Sequence, residues 1–377
     1  MIRTHGASGD DHRYMARALR LAEQCLFTTD PNPRVGCVLV KDGRIVGEGC
    51  HRRVGGPHAE VEALRAANGR TQGATAYVTL EPCCHHGKTP PCTEALIAAG
   101  VVRVVAAMED PNPRVAGKGL ATLRAAGIST ECGLLSDAAE ALNPGFCSRM
   151  RVGKPLFRSK LAMSLDGRTA LSSGESRWIT SEASRHDVHR LRARSSAIVT
   201  GIDTVLADDP SLTARLDSDE DVLQPVRIVL DSTLRMPSTA KMLRQPGHTI
   251  IVTLSQDRGR ATALSEMGAE VHVLEALEGG ARIDLWALTD YLNRKEFNEV
   301  LVEAGATLNG ALLTAGLIDE WIIYMAPCVL GDAARGLFHF AALQRMGQRH
   351  DMRITDIRRV GSDVRFRLCH SPPPQPT

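Results

Sequence analysis

Aromatic residues are scarce in this sequence, at 4% of 377 positions, and neither sign of charge is in excess, since the formal net charge is +2. Proteins that bind nucleic acid commonly stack bases on aromatic side chains and contact phosphates through basic patches. With little of either, a nucleic-acid-binding protein is not expected.

No run of about 18 apolar residues is present, which argues against a transmembrane helix. The N-terminal MIRTHGASGDDHR lacks the apolar core of a signal peptide. We therefore expect a cytoplasmic protein.

The ten cysteines are unevenly spaced, because eight lie between Cys25 and Cys147 and only Cys328 and Cys369 follow. A secreted disulfide framework would be denser and in a smaller fold, whereas cytosolic thiols stay reduced. The spacing therefore predicts a metal site in the first half of the chain.

The length exceeds that of one ordinary hydrophobic core, and an apolar content of 43% is enough for two. Alternating strand and helix patterns predict a three-layer α/β domain over residues 1–150. This domain begins with a helix capped by Asp10 or Asp11, and VGCVLVKDGRIVGEGCH follows as a β-hairpin.

A second α/β domain is predicted over residues 151–370. It follows LNPGFCSRMRVGKP, which is interpreted as a linker because prolines and glycines interrupt it. Its predicted strands are LFRSKLAMSLDG, SAIVTG, VRIVLD, TIIVTL, AEVHVL, EVLVEAG and EWIIYMAP. The Pro-rich end SPPPQPT, residues 371–377, is expected to be a disordered tail.

A metal-binding pattern surrounds EPCCHHGKTPPC at residues 81–92. His58 and Glu60 stand at the predicted start of a helix, Cys83 follows a predicted strand, and Cys92 begins another helix. Three ligands of mixed nitrogen and sulfur type, with a fourth position for water, are typical of a catalytic zinc. His-x-Glu followed by Pro-Cys and a further cysteine is the signature of zinc-dependent base deaminases. In such a site Glu60 would transfer protons and would not bind the metal.

The spacing of the cysteines leaves the ligand set open. The usual second pair is Cys-x-x-Cys, whereas eight residues separate Cys83 from Cys92. Cys84, His85 and His86 are therefore rival ligands, and a closed structural zinc site is the alternative. A structural zinc site does not need an acid–base group such as the Glu60 of a His-Ala-Glu helix start, so a catalytic site is favoured.

The second half contains no Gly-x-Gly-x-x-Gly fingerprint for a dinucleotide. In VEAGATLNGALL, a predicted strand is followed by Gly305 and Gly310 and then by a helix. Free N–H groups at such a helix start suit a diphosphate. A P-loop is excluded, because Ala311 and Leu312 stand where lysine and serine or threonine are needed. By itself this turn is more often plain packing than a binding site.

Four segments of the first half, PNPRVGCVLV, HAEVEAL, TLEPCCHHGKTPPC and MEDPNPRVAGKG, closely resemble the deaminase half of the bifunctional riboflavin-biosynthesis deaminase/reductase family. The resemblance implies a cytidine-deaminase-like three-layer α/β/α domain, in which the longer spacing between the cysteines is normal. It implies Zn²⁺ on His58, Cys83 and Cys92, with Glu60 as the catalytic proton shuttle and no role for Cys84. The implied substrate contacts are Asn32, His51, His85 and Lys88.

Segments of the second half resemble the reductase half of the same family in the same order: KLAMSLDGRTA, GESRWIT, LRARSSAIVTGIDTVLADDPSLTAR and LVEAGATLNGALL. The resemblance implies a dihydrofolate-reductase-like α/β fold and NADPH as cofactor. The implied substrate contacts are Ser176, Arg192, Leu212, Arg215 and Glu303, of which the two arginines would hold the sugar phosphate in their guanidinium forks. The implied cofactor contacts are Ala162, Trp178, Thr204, Asp208, Ser232, Gly305, Ala306, Thr307, Leu308, Asn309, Gly310 and Ala311.

Over most of the chain the resemblance implies a bifunctional hydrolase and oxidoreductase. It would deaminate 2,5-diamino-6-ribosylamino-4(3H)-pyrimidinone 5′-phosphate and then reduce the ribosyl unit of 5-amino-6-(5-phosphoribosylamino)uracil to ribityl. Its partners would be these small molecules and further copies of the chain, in a dimer or tetramer. One alternative is a zinc-dependent nucleotide or tRNA base deaminase with an unrelated C-terminal ligand-binding domain. Another is a protein without enzymatic activity that carries a structural zinc.

Overall fold

The chain divides between Lys154 and Pro155 into two units, Met1–Lys154 and Pro155–Thr377. The computed structural model describes residues 8–86, 90–216, 221–276 and 280–371. The predicted C-terminal tail lies outside these ranges from residue 372 onward. None of the helices within them has the length and apolar character needed to cross a bilayer.

The first unit contains a five-stranded sheet. Its strands are β1 (Gly36–Lys41), β2 (Arg44–Cys50), β3 (Thr75–Val78), β4 (Arg103–Ala106) and β5 (Ser129–Cys132). Its helices are α1 (Gly9–Glu23), α2 (Ala59–Ala67), α3 (Cys92–Ala98), α4 (Lys118–Ala125), α5 (Ser136–Leu142) and α6 (Pro144–Val152). The strand order is β2-β1-β3-β4-β5, in which β1 is antiparallel to β2 and β3, and β3, β4 and β5 run parallel. The predicted hairpin is thus confirmed as β1 and β2.

Alternate residues of the central strands face two separate apolar cores. Val38 of β1 packs in one core with Met15 of α1 and with residues of α5 and α6. Leu39 packs in the other with Ala63 of α2 and with residues of α3 and α4. Because successive side chains of a strand point to opposite faces, the helices form a layer on each side of the sheet. The predicted three-layer α/β/α fold is confirmed.

Two local predictions in this unit are wrong. The N-cap of α1 is Ser8 and neither Asp10 nor Asp11, because the Ser8 hydroxyl accepts from the Asp11 N–H while the Asp11 carboxylate accepts from the Ser8 N–H. The segment interpreted as a linker contains α6. Pro144 is compatible with this helix because it lies in its first turn, where the missing N–H costs no intrahelical hydrogen bond.

The second unit is built on a nine-stranded sheet, with a separate two-stranded pair. The strands are β6 (Leu156–Ser164), β7 (Arg168–Ala170), β8 (Ala197–Gly201), β9 (Val226–Leu230), β10 (Thr249–Thr253), β11 (Ala269–Val273), β12 (Glu299–Val302), β13 (Glu320–Ala326), β14 (Arg335–Gly336), β15 (Met352–Val360) and β16 (Asp363–His370). The helices are α7 (Glu182–Arg194), α8 (Ile202–Asp208), α9 (Arg258–Glu266), α10 (Leu285–Arg294) and α11 (Ala306–Thr314). Two short 3₁₀ turns lie at Lys241–Arg244 and Met346–Gln348.

The order of the large sheet is β11-β10-β9-β8-β12-β6-β13-β16-β15. Neighbours from β11 to β13 run parallel, and β16 is antiparallel to both β13 and β15. All strands predicted for this half are present as β6 and β8 to β13. The hairpin of β15 and β16 was not predicted, because β15 is an edge strand with mostly exposed side chains and has no clear apolar face in its sequence.

Candidate active sites

Helix α2 lies close against β2 because β2 carries glycine where the two meet. A Cβ atom at Gly47 would come within 2.2 Å of the Ala63 carbonyl oxygen, and one at Gly49 within 2.4 Å of the Ala59 carbonyl oxygen. Only glycine permits such an approach of strand and helix backbones. This packing fixes the start of α2, where His58 is the N-cap residue.

The three metal ligands implied for the first unit meet at this helix start. His58 Nδ1 lies 3.2 Å from Cys92 Sγ and 3.5 Å from Cys83 Sγ. Cys92 begins α3, and its backbone N–H donates to Cys83 Sγ at 3.3 Å. Among the described residues, these side chains form the one group of three histidine, cysteine or acidic residues placed to hold a metal ion, with ligand atoms within 4.8 Å of one another.

The geometry and chemistry of this group fit zinc. Bonds of about 2.3 Å to sulfur and about 2.0 Å to nitrogen in a tetrahedron place ligand atoms roughly 3.5 Å apart, close to the 3.2 and 3.5 Å found here. Hydrogen bonds from Cys92 and His58 lower the pKa of the Cys83 thiol despite its burial, whereas the contact with Cys83 and burial raise the pKa of Cys92. Zinc binds cysteine as the thiolate, and Cys83 is the member of the pair that favours this form. Three protein ligands leave the fourth position for water, as in catalytic zinc sites.

Glu60 lies in the first turn of α2 and is buried beside these ligands. Burial raises the pKa of its carboxyl group to about 7, and the neighbouring Cys83 thiolate adds to the rise. A carboxyl group that titrates near neutral pH both accepts and donates a proton readily. The fold therefore places an acid–base group next to the ligands.

Asn32 and His51, two of the implied substrate contacts, touch each other. Asn32 Nδ2 is 3.0 Å from His51 Nε2, and His51 Nδ1 is 2.9 Å from the Pro57 carbonyl oxygen. Because a carbonyl oxygen only accepts, Nδ1 carries the proton and Nε2 accepts from the Asn32 amide. Burial lowers the pKa of His51, in keeping with this neutral ring. The His51 ring packs edge-on against the His58 ring, with centroids 5.4 Å apart, so the pair lies next to the metal ligands.

The rival ligands do not join this cluster in the described part of the chain. His86 Nε2 lies 3.2 Å from Glu94 Oε1, and His85 is exposed. Cys84 is half-buried and is not in the three-residue group. Lys88, implied as a substrate contact, lies outside the described residues, and its role stays a prediction.

Glu81, which the sequence did not single out, supports the turn that carries Cys83. Its buried carboxylate accepts from the N–H groups of Asp110, Gly117 and Leu120 at 2.8 to 3.1 Å. It thereby links the end of the β3 segment to the start of α4. The only available signal was its place directly before Pro-Cys, because its partners lie 29 to 39 residues away.

In the second unit, the implied contacts lie at the carboxyl ends of neighbouring parallel strands. Thr204 lies in α8 after β8, Ser232 follows β9, and Glu303 and Gly305 follow β12. Ala162 is near the end of β6, on the other side of β12. Since β9, β8, β12 and β6 are adjacent, these ends share one edge of the sheet. The crevice at such an edge is where parallel sheets bind ligands.

Glu303 is buried at this edge between two cations. Arg192 donates to its two carboxylate oxygens at 2.5 and 3.0 Å, and Lys160 Nζ lies 3.3 Å from Oε2. Although burial opposes ionisation, these two cations hold the pKa of Glu303 at about 2. Arg192 also donates to the Thr213 carbonyl oxygen at 3.2 Å. Lys160 was not predicted as a site residue, and its only signal was a lysine directly before the apolar Leu161–Met163 stretch of β6.

The two glycines around the start of α11 have different roles. Gly305 is the N-cap residue, and a Cβ atom there would meet nothing within 4 Å. The first N–H groups of α11, from Ala306 onward, lack intrahelical partners, so this open start fits a diphosphate. At Gly310, a Cβ atom would come within 2.1 Å of the His339 carbonyl oxygen. Chain packing alone therefore requires glycine at that position.

Asn309 uses its side chain inside the protein. It is fully buried, accepts from the Ser159 hydroxyl at 2.6 Å, and donates to the carbonyl oxygens of Ala304 at 2.7 Å and Gly305 at 3.1 Å. The side chain thus holds the turn before α11 in shape. The Asn309 backbone N–H also donates inside the helix, to the Gly305 carbonyl oxygen at 3.2 Å, so the cofactor contact implied for Asn309 stays a prediction.

The segment that carries Ser176 and Trp178 lies beside the end of α8. Arg177 donates to the Asp208 carbonyl oxygen at 2.5 Å. The Trp178 side chain is 70% exposed, with the Arg185 guanidinium 4.6 Å from its ring centroid. Such an open indole is available to pack against a flat cofactor ring.

Leu212 and Arg215 lie in the segment that follows α8. Leu212 is buried with φ of 47°, a left-handed conformation that is costly for leucine. Arg215 is exposed and contacts His189 of α7, a residue that the sequence did not single out.

Comparison with known proteins supports the family resemblance of both halves of the chain. Residues 155–366 match the family described as RibD C-terminal domain, and residues 8–108 match the cytidine and deoxycytidylate deaminase zinc-binding region. The riboflavin biosynthesis protein RibD of Escherichia coli K12 is 52% identical over 95% of this chain and 99% of that protein. The RibD of Haemophilus influenzae is 47% identical over 95% of this chain and 97% of that protein.

Solved structures agree as well. The structure of Acinetobacter baumannii RibD is 46% identical and superposes with a TM-score of 0.89, over 96% of this chain and 99% of that one. A diaminohydroxyphosphoribosylaminopyrimidine deaminase/5-amino-6-(5-phosphoribosylamino)uracil reductase from Thermotoga maritima is 31% identical, with a TM-score of 0.85 over 96% of this chain and 99% of that one.

The chain belongs to the RibD family.

Like its RibD relatives, it is a bifunctional deaminase and reductase of riboflavin biosynthesis, with a zinc-binding deaminase half and an NADPH-dependent reductase half. The fold class expected for both halves is confirmed. The alternative of a base deaminase with an unrelated C-terminal domain is not favoured, because the RibD C-terminal model spans almost the whole second unit.

Proposed function

We propose that the first unit deaminates 2,5-diamino-6-ribosylamino-4(3H)-pyrimidinone 5′-phosphate and that the second reduces the ribosyl unit of the product to ribityl. The observation that carries the first step is the buried Glu60 beside His58, Cys83 and Cys92. The full-length match to a Thermotoga maritima protein named for both reactions supports the pairing of the two steps.

In the proposed deamination, His58, Cys83 and Cys92 hold the zinc ion. When bound, zinc supplies the Lewis acidity that makes water a nucleophile near neutral pH. Glu60 takes the proton that the water loses and passes it to the amino nitrogen that leaves the ring as ammonia. Its pKa near 7 suits both transfers. Asn32, fixed by the neutral His51, supplies a hydrogen-bonding group for the pyrimidine.

The remaining contacts proposed for the deaminase substrate are His85, for the pyrimidine, and Lys88, for the phosphate. His85 is exposed next to the Cys83 turn, which leaves it free to approach a bound ring. A lysine ammonium is a compact point charge that suits a phosphate group.

In the proposed reduction, NADPH supplies the hydride. The open helix start at Gly305 receives its diphosphate, and the Trp178 indole packs against the cofactor. Arg192 and Lys160 together carry more charge than Glu303 offsets, and Arg215 adds a further cation. This surplus of positive charge favours a substrate that bears a phosphate.

We further propose that the protein works in the cytoplasm on these small molecules, without nucleic acid or membrane, and that it assembles as a dimer or tetramer. The near-neutral net charge of +2 supports the first statement. Sedimentation of the purified chain at micromolar concentration is expected to show a species larger than 40.7 kDa, and a monomer at all concentrations would contradict the assembly.

The test of the proton shuttle is Glu60→Gln, which keeps the size of the side chain but cannot take up a proton. Ammonia release is expected to fall by about 10²- to 10⁴-fold. Zinc content and NADPH oxidation with the deaminated pyrimidine should stay unchanged. Glu62→Gln is the matched control, because Glu62 lies in the same helical turn and pairs with Arg65 at 2.8 Å. Ammonia release that survives Glu60→Gln would remove this residue from the mechanism.

A further inference from the structure

His189 joins α7 to the segment that carries Arg215. Its Nδ1 lies 3.1 Å from the Thr213 carbonyl oxygen, and its Nε2 lies 3.2 Å from Arg215 Nη2. Arg192, three residues further along α7, donates to the same Thr213 oxygen. Residues three apart lie on one helix face, so one face of α7 fixes the backbone at residue 213 from two positions.

The protonation of the His189 ring follows from its partners. The Thr213 oxygen only accepts, and the Arg215 guanidinium only donates. The ring therefore carries its proton on Nδ1 and accepts the guanidinium N–H at Nε2. The Arg215 backbone N–H, 3.2 Å from Nδ1, would prefer the opposite tautomer, but that tautomer sets Nε2–H against the guanidinium and satisfies one contact instead of two.

The environment also keeps this ring uncharged. Burial, followed by the nearby Arg192 and Arg215 cations, lowers the pKa of His189 to about 4. Arg215 is thus held by an uncharged acceptor, whereas Arg192 is paired with the Glu303 carboxylate. A neutral acceptor orients a guanidinium without offsetting its charge, so the full charge of Arg215 remains for an anion.

We propose that His189 is a positioning residue of the reductase, which orients the Arg215 guanidinium toward the phosphate of the ribosyl-pyrimidine substrate. This inference rests on the proposed role of Arg215 as a phosphate contact. His189 acts through Arg215 and does not itself touch the substrate. Its loss is therefore expected to weaken substrate binding without slowing hydride transfer.

Two isosteric variants separate the two contacts of the ring. In His189→Asn, the amide reaches as far as Nδ1 and keeps the bond to Thr213 but loses the acceptor for Arg215. In His189→Gln, the amide oxygen reaches the place of Nε2 and keeps that acceptor. Reductase kinetics with 5-amino-6-(5-phosphoribosylamino)uracil are expected to show a KM about tenfold higher for His189→Asn and close to wild type for His189→Gln. kcat and the KM for NADPH should not change in either.

The controls separate this inference from the proposed function. Arg215→Ala alone must raise the KM for the pyrimidine phosphate, and if it does not, the proposed role of Arg215 fails. In the Arg215→Ala background, His189→Asn is expected to have no further effect, because its target is gone. His186→Asn, at an exposed position one turn before His189 in α7, should match the wild type.

An unchanged KM in His189→Asn, or a KM effect that adds fully to that of Arg215→Ala, would overturn the positioning role while leaving Arg215 as a phosphate contact. A fall in kcat equal to the loss in kcat/KM would also overturn it. Should His189→Asn not fold, His189→Phe keeps the ring shape but removes both nitrogens, and comparison with His189→Gln, which restores the acceptor for Arg215, then isolates the contact to Arg215.

Discussion

Gly49 of β2 provides a sharp test of how the deaminase site is built, because it supplies no catalytic group itself but lies against the start of the helix that carries His58 and Glu60. In Gly49→Ala, the new methyl group would lie 2.4 Å from both the Ala59 carbonyl oxygen and the Ala63 nitrogen, where ordinary contacts begin at 3.4 Å. Both atoms belong to the backbone of α2, so no side chain can move aside. The helix must withdraw by about 1 Å.

The size of the effect follows from that displacement. Overpacking of this kind costs about 1–3 kcal/mol in the free energy of unfolding. The start of α2 carries His58 and Glu60, and a misplacement of about 1 Å in a catalytic group costs up to roughly 100-fold in rate. We therefore expect ammonia release to fall by about two orders of magnitude, while NADPH oxidation by the second unit keeps its wild-type rate.

The assay is ammonia release from the diaminopyrimidinone phosphate, beside zinc content and a urea unfolding curve. Gly9→Ala serves as the matched control, since a Cβ atom at Gly9 meets nothing within 4 Å and that glycine lies at the start of α1. Wild-type deamination by Gly49→Ala, with an unchanged unfolding curve, would refute the view that close packing of β2 on α2 places the catalytic groups.

Three further predictions concern the metal, the cofactor and acid stability. Cys92→Ser should purify without zinc, whereas Cys84→Ser should retain one zinc ion per chain by metal analysis. An equal loss of zinc in both variants would show that the proposed ligand set is wrong. Gly305→Ala should lower the unfolding free energy by no more than about 1 kcal/mol, because alanine is a poorer N-cap than glycine, and should raise the KM for NADPH about tenfold. Gly310→Ala should instead lower the unfolding free energy by about 1–3 kcal/mol. The pKa of Glu303 falls from 4.5 in the unfolded chain to about 2, so its ionised form stabilises the fold fully above about pH 4.5 and loses this effect as the pH falls toward 2. Urea midpoints should fall more steeply over this range in the wild type than in Glu303→Gln, and parallel curves would contradict the depressed pKa.

Most of the first site could be predicted from the sequence because its residues stand at recognisable boundaries of helices and strands. His58 precedes a run of helix-forming residues, Cys83 follows an apolar strand, and Cys92 follows two prolines. Each position is set by local propensity. The spacing between the cysteines was the one feature that local reasoning left open, and the family resemblance was needed to interpret it.

The supporting residues could not be predicted, because their roles depend on partners far away in the sequence. Glu81 binds N–H groups up to 39 residues away. Lys160 of β6 pairs with Glu303, which follows the neighbouring strand β12. His189 shows its role only through contacts with a loop 24 to 26 residues later. Similarly, Asn309 belongs to an implied cofactor loop, yet its side-chain amide donates to carbonyl oxygens of the turn before α11.

The ends of some helices also could not be predicted from the local sequence. Pro144 and Gly153 read as breaks in the chain, but they are the start and the C-cap of α6. A proline at the first turn and a glycine directly after the last turn are compatible with a helix. The same two residues therefore suit a linker and a helix equally, and packing of Phe146 into the first core decides between them.

The central claim is that one chain carries two consecutive reactions, and the most direct measurement follows both products at once. The purified protein, given the diaminopyrimidinone phosphate and NADPH, is expected to release one ammonia and oxidise one NADPH per substrate molecule, with ammonia appearing first. A chelator that removes zinc should stop both signals, and added deaminated pyrimidine should restore NADPH oxidation alone. NADPH oxidation that precedes ammonia release, or that fails to return with the deaminated pyrimidine, would contradict the account.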